Sequence, residues 1–168
     1  MKNNQDNGAL KGVYLVPGQP HLLKSEMNPG YGALVGAMKK VGDELAATGV
    51  KRVLYYSTQW IAVLDQLIQA GAKVEGLHVD ENWYELGDLP FKFNVDTEFA
   101  SLCATTLASA GFTNKKVDYA GFPVDTGTIV ADRFINPSAK MKSSMLACNV
   151  YTSFDETIRL ASAVNDAI

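Results

Sequence analysis

Four short stretches hold most of the side chains able to do chemistry: VPGQPHLL at Val16 to Leu23, VLYYSTQW at Val53 to Trp60, HVDENWYELGD at His78 to Asp88, and GFPVDTGTI at Gly121 to Ile129. The only histidines, His21 and His78, fall in two of them. With Asp80 and Glu81, His78 would offer an imidazole and two carboxylates to a metal. One H-x-D-E cluster has no established ligand geometry, however, and a loop histidine is more often hydrogen-bonded or solvated. Asp125-Thr126-Gly127 is the triplet with which aspartic proteases set two carboxylates over one proton. A single copy amid alternating strands and helices suits a helix cap by Asp125, with Gly127 permitting close backbone approach. Ser57 stands outside any G-x-S-x-G elbow, so it carries no serine-hydrolase signature.

The elements that must position these residues alternate. Gly12 to Val16 reads as a first short strand, stopped by the proline-bracketed turn Pro17 to Pro20. Leu34, Ala37, Met38, Val41 and Leu45 recur at helical spacing inside Ala33 to Thr48, with Gly49 as C-cap. Arg52 to Ser57 is the next strand, and Trp60 to Gln69 has the spacing of a helix. Lys73 to Pro90 is irregular apart from a short strand at Val74 to Val79. Asp96 caps a helix over Thr97 to Ala110, with Glu98 well placed against its dipole. A strand at Lys116 to Tyr119, a helix at Thr126 to Phe134, a strand at Ser144 to Val150 and a helix at Ser153 to Ala167 complete the pattern.

This alternation predicts a single α/β domain, a mostly parallel sheet with helices on both faces, over residues 11 to 168. Met1 to Leu10 reads as a loose or disordered lead. Ligands of such sheets sit outside the carboxyl ends of the strands. That places Gly18, His21, Ser57, Gln59, Asp125 and Thr126 together as pocket candidates.

The 168 residues, 47% hydrophobic and 20% charged, suffice for one real core. The net charge of −3 comes from interspersed residues of both signs, so no basic face is offered to nucleic acid. The polar start lacks the apolar core of a signal peptide, and no apolar run approaches the roughly 20 residues that span a bilayer. A soluble, cytoplasmic protein is expected. Cys103 and Cys148 lie in no metal or redox spacing and read as buried free thiols.

The four stretches together resemble class III extradiol ring-cleaving dioxygenases, over nearly the whole chain, and specifically a subunit type that does not perform the chemistry. Catalytic members carry PHPPHL and SPHW motifs whose histidines, with a later glutamate, hold Fe(II) in a two-histidine, one-carboxylate site. Laid on Pro17 to Leu22, the first motif puts Gly18 at a ligand position and His21 at the second, non-ligand histidine. Laid on Ser57 to Trp60, the second puts Gln59 at the other ligand position. Glycine has no donor, and a neutral amide is a poor substitute for imidazole. The resemblance further implies that the glutamate ligand and an acid/base histidine belong to a region beyond the end of this sequence.

The resemblance therefore implies a non-catalytic α-type subunit of a heteromeric dioxygenase acting on an aminophenol or catechol-like ring. On this reading no cofactor resides in this chain, and Fe(II) belongs to a catalytic partner. Two alternatives stand beside it: a small-aromatic-binding module that uses the vacated pocket, and an iron enzyme with displaced ligands. Gln59 either fills the vacated position with hydrogen bonds or caps a helix, and Trp60 either walls a pocket or packs in the core. Trp83 and Tyr84 make the His78 to Asp88 loop a candidate interface or lid, or a solvated loop anchored by two aromatics. Self-association or a catalytic subunit would be the partner.

Overall fold

The computed structural model describes residues 10 to 119 and 124 to 168. The expected loose lead, apart from Leu10, and Gly121 to Pro123 of the fourth motif lie outside them.

The fold is α/β, with a four-stranded mixed, mostly parallel sheet in the order β1, β6, β2, β5. These strands are β1 (Arg52–Ala62), β2 (Gln66–Gln69), β5 (Asn114–Val117) and β6 (Lys142–Asn149). β1 runs parallel to β6 in register from Arg52 opposite Lys142, with a shift between Ser57 and Ile61. β2 is parallel to β5 and meets β6 antiparallel at Ile68 opposite Leu146. A separate antiparallel hairpin joins β3 (Val74–His78) to β4 (Leu89–Phe93).

Alternating side chains of β6 feed a different core on each face, as a period of two residues requires. Met145 packs on the side of α1 (Pro29–Ala47), α3 (Thr126–Ile135) and the hairpin, with Tyr55, Met38, Phe93 and Val130. Leu146 packs on the side of α2 (Thr97–Ser109) and α4 (Phe154–Asn165), with Phe99, Leu107 and Leu160. α1 crosses α3 where Gly42 meets the Ile135 carbonyl so closely that a Cβ has no room.

The caps are those the sequence advertises. The Asp96 carboxylate accepts from Phe99 N–H and that of Asp125 from Thr128 N–H, while Ser153 and Glu156 form a reciprocal capping box. α1 starts earlier than its apolar spacing suggests, because Asn28 caps it and Pro29 opens it.

Two expected elements are absent. Trp60 to Gln69 is not a helix: β1 continues to Ala62, a bend follows, and β2 begins at Gln66. The apparent helical spacing there is coincidental, since Ile61, Val63 and Leu64 are exposed while Ile68 is buried against β6. Gly12 to Val16 is not a strand: among the described residues it pairs with no neighbour, and Val13 and Leu15 lie in solvent. Conversely, β4 is unexpected: it begins at the end of the irregular stretch and runs beyond it, and its Pro90 faces Leu77 in a two-stranded hairpin, a setting that tolerates a missing N–H.

Candidate functional site

The site lies where the Pro17 turn, the far end of β1 and the N-terminus of α3 converge. Gly18 abuts Gly127 backbone to backbone: a Cβ on Gly18 would lie 2.6 Å from Gly127 Cα. Gln59 ties the same two residues together. Its Oε1 accepts from Gly127 N–H at 2.8 Å, and its Nε2 donates to the Gly18 carbonyl at 3.4 Å. Gln59 lies in β1, so it caps no helix of its own; it satisfies one of the unpaired N–H groups that open α3.

Ser57, two residues earlier in β1, donates its hydroxyl to Asp125 Oδ1 at 2.6 Å. The same oxygen accepts from Thr128 N–H at 2.8 Å, and Asp125 Oδ2 accepts from the Thr128 hydroxyl at 2.6 Å. Asp125 is thus spent on capping α3 and fastening it to β1. Trp60 is half-buried and packs against the larger core.

A second line of contacts joins the hairpin to α3. The buried Thr126 hydroxyl lies 2.8 Å from His78 Nε2 and 2.5 Å from Asp80 Oδ2. An ionised carboxylate only accepts, so Thr126 donates to Asp80 and accepts from His78, which fixes the proton on Nε2. Burial pushes the Asp80 carboxyl up, but the Thr126 hydroxyl, the Asn82 and Trp83 amides and the nearby His78 outweigh it and hold it below its ordinary value. Asp80 also caps the turn that carries Trp83.

Trp83 is half-buried, with the His21 ring against it edge-on at 5.2 Å, and Tyr31 lies 6.3 Å from the same imidazole. Tyr84 points outward, 73% exposed. The two histidines therefore belong to different contacts, and Glu81 is exposed. Among the described residues no three His, Cys, Asp or Glu side chains gather as a metal group would require. Of the six residues expected together, Gly18, Gln59, Ser57, Asp125 and Thr126 share one corner, whereas the sixth, His21, packs its ring against Trp83 and Tyr31 instead. The close backbone approach expected at Gly127 is present, but that its neighbour is Gly18, and that Asp80 bonds to Thr126, are tertiary facts with no signal in the sequence.

In sequence the chain is similar to a dioxygenase subunit. It is 38% identical over 153 residues to the 2-aminophenol 1,6-dioxygenase alpha subunit of Pseudomonas sp, an alignment covering 89% of this chain. The chain spans about 56% of that relative's length. No family model matches it. Among solved structures, two mutant forms of the pyrrolidone carboxyl peptidase of Pyrococcus furiosus share 9% identity with it. They superpose with TM-scores of 0.47 and 0.45, over 78% and 77% of this chain and 74% of theirs, too slight a likeness to carry an argument. No helix among the described residues is long and apolar enough to cross a membrane.

Proposed function

We propose that this chain is a non-catalytic α-type subunit, or part of one, of a heteromeric extradiol dioxygenase that cleaves an aminophenol or catechol-like ring. Its task is to support a catalytic partner that holds Fe(II). The observation that carries this reading is the Gly18, Gln59 and Gly127 clamp. At the two positions that the motif resemblance equates with the histidines of catalytic members, this chain has a residue with no side chain and no space for one, and an amide committed at both ends. The residues present do not fit iron, so no step of ring cleavage is assigned to them. The relative's alpha-subunit name supports a multi-subunit assembly.

A fold keeps its subunit surface when its site is lost, because site and scaffold are separable. The test is co-expression with a family subunit that retains both histidines. Co-purification at fixed stoichiometry, with ring cleavage that needs the partner's histidines and not His21 or His78, is the expected result. Ring cleavage by this chain alone would sink the proposal.

A further inference from the structure

A cavity of about 230 Å³ lies between β4 and the C-terminal half of α3, away from the capped end of that helix. Phe91, Phe93, Ile129 and Pro137 contribute its apolar wall, with Asp132 and Arg133 among them. Asp132 is only 8% exposed. Its Oδ1 accepts from the Tyr55 hydroxyl at 2.9 Å, the Ser143 hydroxyl at 3.1 Å and Asn136 Nδ2 at 3.4 Å, while Oδ2 accepts from none of the described residues. Among those residues, the fully enclosed side-chain polar atoms without a partner are Gln66 Oε1 and Ser144 Oγ. Asp132 Oδ2 is not among them, and Asp132 lines the cavity.

A mostly buried carboxylate with one oxygen saturated and the other without a donor among the described residues leaves that second oxygen to water or to the donor of a ligand. The neighbouring cations do not supply one: Lys92 reaches Glu75 at 3.3 Å, and Arg133 donates to the Pro90 carbonyl. Phe91 and Phe93, with ring centroids 6.0 Å apart, offer the aromatic surface that recurs in small-molecule pockets. We propose that this cavity binds a small aromatic amine, its nitrogen donating to Asp132 Oδ2 and its ring lying against Phe91 and Ile129. This site is separate from the Gly18 corner and does not depend on the subunit reading.

The experiment is an NMR titration of the whole chain with benzylamine, using benzyl alcohol and benzoate as neutral and anionic matches. Saturable shifts at Phe91, Phe93 and Ile129 are expected with benzylamine, weaker ones with the alcohol and none with benzoate. Asp132→Asn, which keeps shape and loses the charge, should weaken benzylamine about tenfold or more, the usual effect of losing one hydrogen bond to a charged group. Absence of saturation in the parent protein, equal affinity for benzoate, or unchanged affinity in a folded Asp132→Asn would overturn the proposal. Phe91→Ala, at a half-buried position, provides a second variant: affinity for benzylamine should fall, and unchanged affinity would also overturn it.

Discussion

Gly18 and Gly127 stand so close that a Cβ on the first would sit 2.6 Å from the Cα of the second. The obstacle is backbone, which cannot rotate aside as a side chain can. Gly18→Ala should therefore lower stability by about 1–3 kcal/mol, the usual cost of overpacking. Gly32→Ala is the control, since Gly32 lies in α1 with nothing within 4 Å of its Cβ position, and it should gain roughly 0.5–1 kcal/mol. Urea unfolding of both variants checks the contrast; equal effects would mean that the Gly18 contact imposes nothing.

Gln59 links the two turns through one acceptor and one donor. Gln59→Ala should cost about 0.5–1.5 kcal/mol, the net worth of an ordinary hydrogen bond at a solvent-facing position. Gln59→Glu should cost less, because it keeps the acceptor for Gly127 N–H and adds negative charge at the N-terminus of α3. The order of the two unfolding midpoints tests the clamp. An unchanged midpoint in Gln59→Ala would reduce it to a bystander.

Much of this organisation is legible in the sequence, and the reasons differ between elements. Asp96, Asp125 and Ser153 announce their helices because capping is local chemistry, a side-chain oxygen meeting an N–H three residues on. Trp60 to Gln69 misleads because its pairing partners lie in β6 and β5, far along the chain, and no local spacing reports them. Gly12 to Val16 has strand composition but finds no ladder, which composition cannot foresee. The candidate corner is legible as a set of turns after strands, whereas the contact between Gly18 and Gly127 is purely tertiary.

Stability should fall in acid through Asp96. Burial raises its carboxyl, but the Phe99 amide, Arg52 at 2.7 Å and Lys142 at 3.7 Å overcome that and hold it below its ordinary value. A carboxylate depressed in the fold contributes stability above its unfolded pKa of about 3.9, and that contribution is lost as pH falls through the lower folded value. Asp132 has the opposite sign: burial raises its carboxyl above the ordinary value despite the bonds from Tyr55, Ser143 and Asn136, so its ionisation weakens the fold as pH rises. Asp96→Asn should flatten the acid limb of a stability against pH curve. A curve parallel to that of the parent protein would show that the Arg52 pair carries no such linkage.

Burial pushes the Cys103 thiol up to about 11, with the charges of Arg52 and Asp96 as smaller, opposing influences. Cys103 is therefore expected to resist a thiol reagent until the protein unfolds, whereas half-buried Cys148 reacts in the native state. Native labelling followed by peptide mapping distinguishes them, and early modification of Cys103 would contradict its place in the core.

Tyr84 is the cleaner probe of a partner surface, because Trp83 is tied to His21 and Tyr84 is 73% exposed. Tyr84→Ala should leave the fold intact and, if the loop anchors a partner, weaken association by about 2 kcal/mol or more. Sedimentation with a catalytic subunit measures this. Unchanged affinity would place the interface elsewhere.

The most direct test of the central claim is metal analysis after anaerobic loading with Fe(II) and removal of excess. The Gly18, Gln59 and Gly127 clamp predicts no stoichiometric iron in this chain, and none in Gln59→His, since one imidazole beside a closed glycine turn is not a site. One iron per chain, released by His21→Ala or His78→Ala, would contradict the account and establish an iron enzyme with displaced ligands.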